Sequence, residues 1–543
     1  MAKISPLSRF WGLLKIYKPE IRQIYFYGVL IGLVNLSLPL GIQAIISYLQ
    51  TGELSSSWVI LVGIVLMGIA VSGTFQVMQL RIVENIQQNI FARSSMEFAF
   101  RLPRINVQQL DKIHAPELVN RFFDTLTIQK GLPKILIDFS LASFQIIFGM
   151  LLLAIYSPYF IVLGLFLLLV LWLMVKFTGP QGLKTSISES KYKYQLVHWL
   201  EELGRTQRSF KVSSKTNFHL RKADDITLDY LKHRESHFKV LLLQFKSFVS
   251  FKVLIAAGLL ILGGILVYQQ QLNIGQFVAA EIVIILIINS VEKLLRVLDS
   301  IYDVLTAFDK IGFVTDMNLD QNGGKKTVTP EQASTIALTK VNFSYPDNKG
   351  KVLKDLTLSI PSQSRVIFRG KSGGGKSTLL QVIAGILPVS SGDILLNGVP
   401  YHNYDKESFN SNVGLVFESN QIFEGTIKEN ITLGREVDEN YFKEILDALE
   451  ISDYIGQQAD GVETLMDSGG RRTPRSIGQK ILIARAICHQ PGLLLLENPL
   501  QNIPKEETHA IIDYLTDPKH NWTLVVIADD DYWVEKSTQV ITL

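Results

Sequence analysis

The sequence predicts an α-helical membrane domain with six transmembrane helices, followed by an α/β domain built on a phosphate-binding loop. Three observations carry this. Uncharged stretches longer than the ~20 residues a spanning helix needs recur up to Val291. After Asp320 short β-branched runs alternate with helical patterns, as in α/β domains. Within that second part a glycine-rich run ending in Gly375-Lys376-Ser377-Thr378 joins an apolar strand to a helix. The composition agrees: of 543 residues 47% are hydrophobic and 19% charged, apolar for a soluble chain. A net charge of +3 argues against a strongly basic nucleic-acid binder, and one cysteine, Cys488, excludes an internal disulfide framework.

Gln23 to Gly52 carries no charge, Glu53 stands alone, and Leu54 to Leu80 is again uncharged. Phe139 to Val175 is long enough for two spans with Ser157-Pro158 as the turn between them. Val253 to Ala280, continued after Glu281 by Ile282 to Val291, makes the third pair, turning near Gln269 to Asn273. The short turns hold no Lys or Arg, whereas the N-terminus (Lys3, Arg9, Lys15, Lys18, Arg22) and the segments Arg81 to Lys134 and Lys176 to Lys252 are basic. Both termini are therefore expected on the cytoplasmic side. Met1 to Ile21 is polar and does not resemble a cleaved signal peptide.

The two basic segments exceed 50 and 70 residues and place apolar residues at helical spacing, as in Leu196, Leu200 and Leu203. The spans are expected to extend into the cytosol as helices. His114 to Phe122 reads as a short helix with Pro116 near its start, at the tip of the first long hairpin. Glu281 is the one acid deep in a span, either a functional site or a group facing a wet cavity.

The expected domains are 1–320 in the membrane, a polar glycine-containing linker at 321–334, and 335–543 as the nucleotide-binding domain. Gly370-Lys371-Ser372-Gly373-Gly374-Gly375-Lys376-Ser377-Thr378 matches G-x-x-x-x-G-K-[ST] in full. Glycines let backbone N–H groups turn inward around a β-phosphate, and the helix N-terminus adds partial positive charge. Lys376 is placed to reach β- and γ-phosphate oxygens and Ser377 to ligate Mg²⁺.

Six spans with long cytoplasmic helices ahead of such a loop resemble the ATP-binding cassette (ABC) exporters, in the half-transporter arrangement. Arg101-Leu102-Pro103 through Phe122 is similar to the approach to that family's first coupling helix, while Trp199 to Leu203 matches its second hairpin only in length and pattern. Phe343-Ser344-Tyr345-Pro346 looks like the aromatic loop, with Tyr345 as the adenine stacker. Ser391 to Ile394, Asn397-Gly398 and Leu493 to Leu496 resemble later landmarks in the family's order. The resemblance implies ATP and Mg²⁺ as ligands, with Ser377, Glu418 and Glu497 toward the metal.

The departures fall on hydrolysis. Where the family has Asp-Glu after its apolar strand, this chain has Glu497-Asn498, and an amide cannot be a general base. Asp529 stands at the switch-histidine position, where a carboxylate repels γ-phosphate unless protonated or bridged by metal, and Glu418 replaces the metal-binding Gln. Counting back from Ala484-Arg485-Ala486, the family signature falls on Thr473-Pro474-Arg475-Ser476-Ile477, and Asp467 to Arg472 is a decoy. Arg471, Arg472 or Arg475 either supplies positive charge to phosphate or is a solvated surface arginine.

The resemblance implies an ATP-binding exporter subunit of the plasma (bacterial inner) membrane. The alternative is a hydrolysis-deficient gating or structural subunit of a heteromeric transporter or secretion assembly. Implied partners are membrane lipid, an identical or different half-transporter and a periplasmic adaptor, with no nucleic acid. Residues 1–330 carry 33 basic and 22 acidic groups, +11, and residues 331–543 carry 20 and 28, −8. The near-neutral total thus hides a basic membrane half and an acidic cassette.

Overall fold

The computed structural model describes residues 4–51, 56–110, 113, 115–212, 216–320, 323–329, 332–346, 350–419 and 421–543. Glu53 and His114 lie outside them. The chain divides into two compact units, Met1–Arg104 with Lys112–Met317, and Ile105–Asp111 with Asn318–Leu543.

The first unit is helical. α1 (Pro6–Ile16) and α2 (Lys18–Val34) lead to α3 (Ser37–Thr51), then α4 (Ser56–Arg101). Among the described residues, six helical stretches are long and apolar enough to cross a membrane. The first expected span is not one helix: it breaks between α2 and α3 at Asn35-Leu36. Pro39 has no N–H to offer the Asn35 carbonyl four residues back, and its ring crowds that oxygen. Ser72 Oγ donates to the Asn35 side chain at 2.8 Å, giving the break a partner in α4.

α5 (Val107–Leu110) and α6 (Ala115–Asn120) precede α7 (Asp124–Tyr156). The short expected helix is α6, with Pro116 at its second residue, where a missing N–H costs nothing. Ser157-Pro158 turns the chain into α8 (Tyr159–Arg205), which runs on unbroken past Trp199, and α9 (Gln207–Val212) links it to α10 (Phe218–Tyr268). α11 (Ile274–Thr315) starts at a capping box in which Asn273 and Gln276 exchange side-chain and backbone hydrogen bonds.

Small residues let these helices approach. A Cβ on Gly182 would lie 2.5 Å from the Tyr302 ring, and one on Gly131 2.4 Å from Val304. A buried amide ties three of these helices together: Gln244 Nε2 on α10 donates to Thr178 Oγ1 of α8 at 2.9 Å and to Tyr302 OH of α11 at 2.8 Å.

The second unit opens with β1 (Ile336–Phe343), β2 (Leu353–Ile360), β3 (Arg365–Arg369), α12 (Lys376–Ile383), β4 (Ser391–Leu396) and β5 (Val399–Pro400). α13 (Lys406–Ser411), β6 (Val413–Val416), β7 (Gly425–Thr426), α14 (Ile427–Thr432), α15 (Glu439–Ala448), α16 (Ser452–Gly456) and β8 (Leu465–Met466) follow. It closes with α17 (Arg475–Ile487), β9 (Leu493–Glu497), α18 (Lys505–Thr516), β10 (Thr523–Ile527), α19 (Asp531–Glu535) and β11 (Gln539–Thr542).

Its centre is a five-stranded sheet, β11-β3-β10-β9-β6, whose neighbours all run parallel. Strand periodicity divides its side chains between two cores. Leu494, Leu496, Leu524 and Val526 join one, packed with residues of α14, α15, α17 and α18. Leu493, Leu495, Val525 and Ile527 join the other, with residues of α12 and of the antiparallel sheet β2-β1-β4-β5. Burial on both faces is why β9 and β10 read as continuous apolar runs rather than alternating ones.

Residues 105–110, which the sequence assigns to the membrane half, pair within this second unit. Ile105 bridges Leu319, Asn106 N–H donates to the Asn318 carbonyl at 3.0 Å, and Val107 packs on the second core.

One buried titratable group gives this unit a pH dependence. His520 stacks on Trp522 with ring centres 4.1 Å apart, and its Nε2 has no partner among the described residues. Burial, then the Lys519 charge, pushes its pKa down to about 4. The folded form holds it neutral while the unfolded chain takes up a proton at the ordinary ~6.5, so stability is full above that pH and falls toward 4. A drop from pH 7 to 5 is expected to cost about 2 kcal/mol from this residue. His489, lowered to about 4 by burial and Arg435, adds a similar amount. Thermal unfolding of His520→Phe at the two pH values should show about half the parent's loss; an undiminished loss would refute the assignment.

Candidate functional site

The carboxyl ends of parallel strands are where α/β sheets hold ligands, and the sequence-selected residues gather there. The loop 370–375 leaves β3 and enters α12 through Gly375, which adopts φ 86°. Gly370 and Gly373 also have positive φ, 142° and 82°, a region that favours glycine. At Gly370 space matters too: a Cβ would lie 2.2 Å from the Leu543 carbonyl oxygen. Lys376 bends back over the loop, its Nζ donating to the carbonyls of Gly370 at 2.7 Å and Lys371 at 3.0 Å. Ser372, Gly373, Gly374 and Ser377 are exposed, Gly375 and Lys376 half-buried, and Thr378 is buried at the head of α12.

Tyr345, just past β1, comes to the same place. Its hydroxyl lies 3.2 Å from Thr378 Oγ1, and its ring meets Phe343 edge-on at 4.9 Å. A groove of about 430 Å³ runs beside the loop, lined by Gly350, Lys351, Val352, Lys354, Gly373 and Gly374. Lys351 and Lys354 were not singled out by the sequence reading. They lie far from the loop along the chain, and only the packing of Val352 and Leu353 against Gly375 reveals their place.

Strand register aligns the acidic candidates. β6 and β9 pair Val416 with Leu496, and β9 and β10 pair Glu497 with Ile527. Glu497 is buried at the end of β9, and Glu418, exposed just past β6, brings its N–H within 3.5 Å of Glu497 Oε2. Asn498 holds φ 43° and donates its N–H to the Ile527 carbonyl at 2.9 Å. Asp529 is exposed two residues beyond β10.

Sequence reasoning missed Arg369, the last residue of β3. Its Nη2 donates to the Asp529 carbonyl and to Asp531 Oδ1, both at 2.8 Å, tying the start of the loop to the segment after β10. A lone arginine ending an apolar strand carries no motif signal.

The signature positions begin α17, with Pro474 as its N-cap and Arg475 its first residue. The glycines at 469 and 470 belong to a separate turn, where Asp467 accepts from the N–H groups of Arg471 and Arg472 at 3.1 and 3.2 Å. The residues at these strand ends comprise a glycine-rich loop at a helix N-terminus, an ammonium and two adjacent carboxylates. That set fits a nucleotide phosphate chain with a divalent cation.

Comparison with known proteins gives two family matches: ABC transporter transmembrane region over residues 24–291 and ABC transporter over residues 353–501. An ATP-dependent lipid A-core flippase of Pectobacterium atrosepticum is 28% identical over 271 residues, 48% of this chain and 46% of that protein. A putative export ATP-binding/permease protein of Rickettsia bellii is 24% identical over 321 residues, 59% and 56% of the two chains. A putative multidrug export ATP-binding/permease protein of Staphylococcus aureus is 31% identical over 216 residues, 39% and 37% of the two. The chain spans about half the length of the curated relatives it matches, or less. Among solved structures, a bacterial Atm1-family ABC exporter with ATP bound superposes with a TM-score of 0.85 at 16% identity, covering 97% of this chain and 94% of that one. At that identity the likeness is one of fold.

Proposed function

We propose, for a chain that belongs to the ABC transporter family and joins its transmembrane region to its ATP-binding domain, that it is an exporter half that binds ATP and hydrolyses it slowly. The observation that carries this is the contrast within one site. Tyr345 meets Thr378 and Lys376 bends over the glycine loop beside the groove, while the residues at the positions the resemblance gives to a general base and a switch histidine are Asn498 and Asp529.

Lys376 would engage β- and γ-phosphate oxygens, the loop amides would hold the β-phosphate, and Tyr345 would support the base. Mg²⁺, held by Ser377, Glu497 and Glu418, would neutralise phosphate charge. Asn498 can orient a water through its amide but cannot accept its proton at neutral pH. ATP binding can still favour a closed pair of cassettes through differential affinity, whereas resetting requires nucleotide to leave. The domains we assign are 1–320, 321–334 and 335–543. The chain would sit in the bacterial inner membrane with both termini cytoplasmic, paired with an identical or a different half-transporter. A periplasmic adaptor is a further partner on the secretion reading. Similarity to a lipid A-core flippase and to a putative multidrug export protein supports an amphipathic cargo on the export reading.

The second reading, a gating subunit that holds ATP without turnover, is favoured by Asn498 and Asp529 specifically. Purified full chain in lipid separates the two. Saturable ATP binding with phosphate release barely above background is expected from the chain alone, and turnover that appears on adding a second cassette chain identifies a heteromer. Brisk turnover by the chain alone would sink the gating reading.

A further inference from the structure

Between Val253 and Val291 the only charged residue is Glu281. It lies seven residues into α11, about 10 Å along the axis from Ile274, well inside the apolar stretch. α11 is the innermost of the six candidate spans, with 50% of its apolar window buried against 11–39% in the others. One stripe of it stays uncovered within this chain: Glu281, Ile285, Asn289 and Lys293, spaced four apart, are exposed while Ala280, Val283, Ile284, Ile287 and Ile288 beside them are buried. No described residue hydrogen-bonds or ion-pairs with the Glu281 carboxylate, whereas Ser290 Oγ, nine residues further along α11, donates to Gln145 Oε1 of α7 at 3.0 Å.

Hydrocarbon is a poor neighbour for a carboxylate, so a charged group on the least lipid-accessible span belongs to a face that meets something polar. Its chemistry is set by what surrounds it. Along this stripe the carboxylate has an aliphatic side chain one turn below and an amide two turns below, and the next charged side chain on the stripe is Lys293, three turns away. That order matches a molecule with a cationic end and an apolar body. We propose that Glu281 anchors the cationic end of an organic cargo, with Ile285 and Asn289 lining the path beneath it. The inference rests on the export reading and narrows its cargo to amphipathic cations.

The test uses full chain in nanodiscs of neutral phosphatidylcholine, with radiolabelled tetraphenylphosphonium as the probe and tetraphenylborate as its anionic counterpart. The parent should bind the cation saturably. Glu281→Gln should weaken that binding about tenfold or more, because one attractive charge is lost in a medium of low dielectric. Glu281→Asp should keep most of it, and tetraphenylborate binding should not weaken in the Gln variant. Equal cation affinity in parent and Glu281→Gln, or no saturable binding to the parent, overturns the proposal. ATP titration of the same samples keeps the two readings apart. Glu281→Gln should leave ATP affinity unchanged, and a parent that fails to bind ATP refutes the nucleotide reading whatever the cation does.

Discussion

Lys376→Ala is expected to weaken ATP binding about 100-fold or more, since truncating one partner of a close, partly desolvated charge pair typically costs 2–5 kcal/mol. The structure says why this lysine and not a neighbour. Its ammonium already bends over the loop to the carbonyls of Gly370 and Lys371, so it is held over the cradle before phosphate arrives. The surroundings raise the effect: residues 331–543 carry a net −8, and Arg369 is engaged with Asp531. Titration of full chain in nanodiscs with a fluorescent ATP analogue reads the loss. Lys376→Arg should recover little, because a planar guanidinium does not replace a compact ammonium in a tight loop. Unchanged affinity in the Ala variant, with unfolding temperature preserved, would show that the loop is not the phosphate site.

Restoring the missing base gives the second large effect. Asn498→Glu combined with Asp529→His is expected to raise steady-state phosphate release about 100-fold, the usual worth of a positioned general base. Each change alone should give less. The base without the histidine leaves the Asp529 carboxylate near the third phosphate, and the histidine without the base leaves water unactivated. Backbone geometry limits the gain: Asn498 sits at φ 43°, a region asparagine tolerates better than glutamate, so Asn498→Glu should also cost about 1 kcal/mol of stability. Thermal unfolding measured alongside turnover separates the two. If the double variant folds and turnover does not rise, the altered start of α17 at Pro474-Arg475 becomes the limiting defect.

Much of this was legible because the signals are local. Leu493 to Leu496 was legible as an apolar strand because burial on both faces forces apolar side chains at every position, and the structure buries every residue of β9 and of its neighbour β10. The turn at Asn273 was legible as a break in an apolar pattern, and its capping box explains where α11 begins. What stayed illegible was nonlocal. The first span was legible between Gln23 and Gly52 but its break at Asn35-Leu36 was not, since Pro39 alone does not say whether a helix kinks or breaks, and the Asn35–Ser72 pair forms between residues 37 positions apart.

The sequence by itself determined the six apolar helices, the alternation of strands and helices in the second unit, and the phosphate-loop fingerprint. Each rests on composition, period or backbone preference within a few residues. It also put an amide, Asn498, directly after the apolar strand, and an amide cannot serve as a general base. Only the tertiary structure decided that residues 105–110 fold with the second unit, that Arg369 ties the loop to Asp529 and Asp531, and that Glu281 lies on the one uncovered stripe of the innermost span. Those depend on which distant segments share a face or a hydrogen bond, and such pairings leave no periodic trace along the chain.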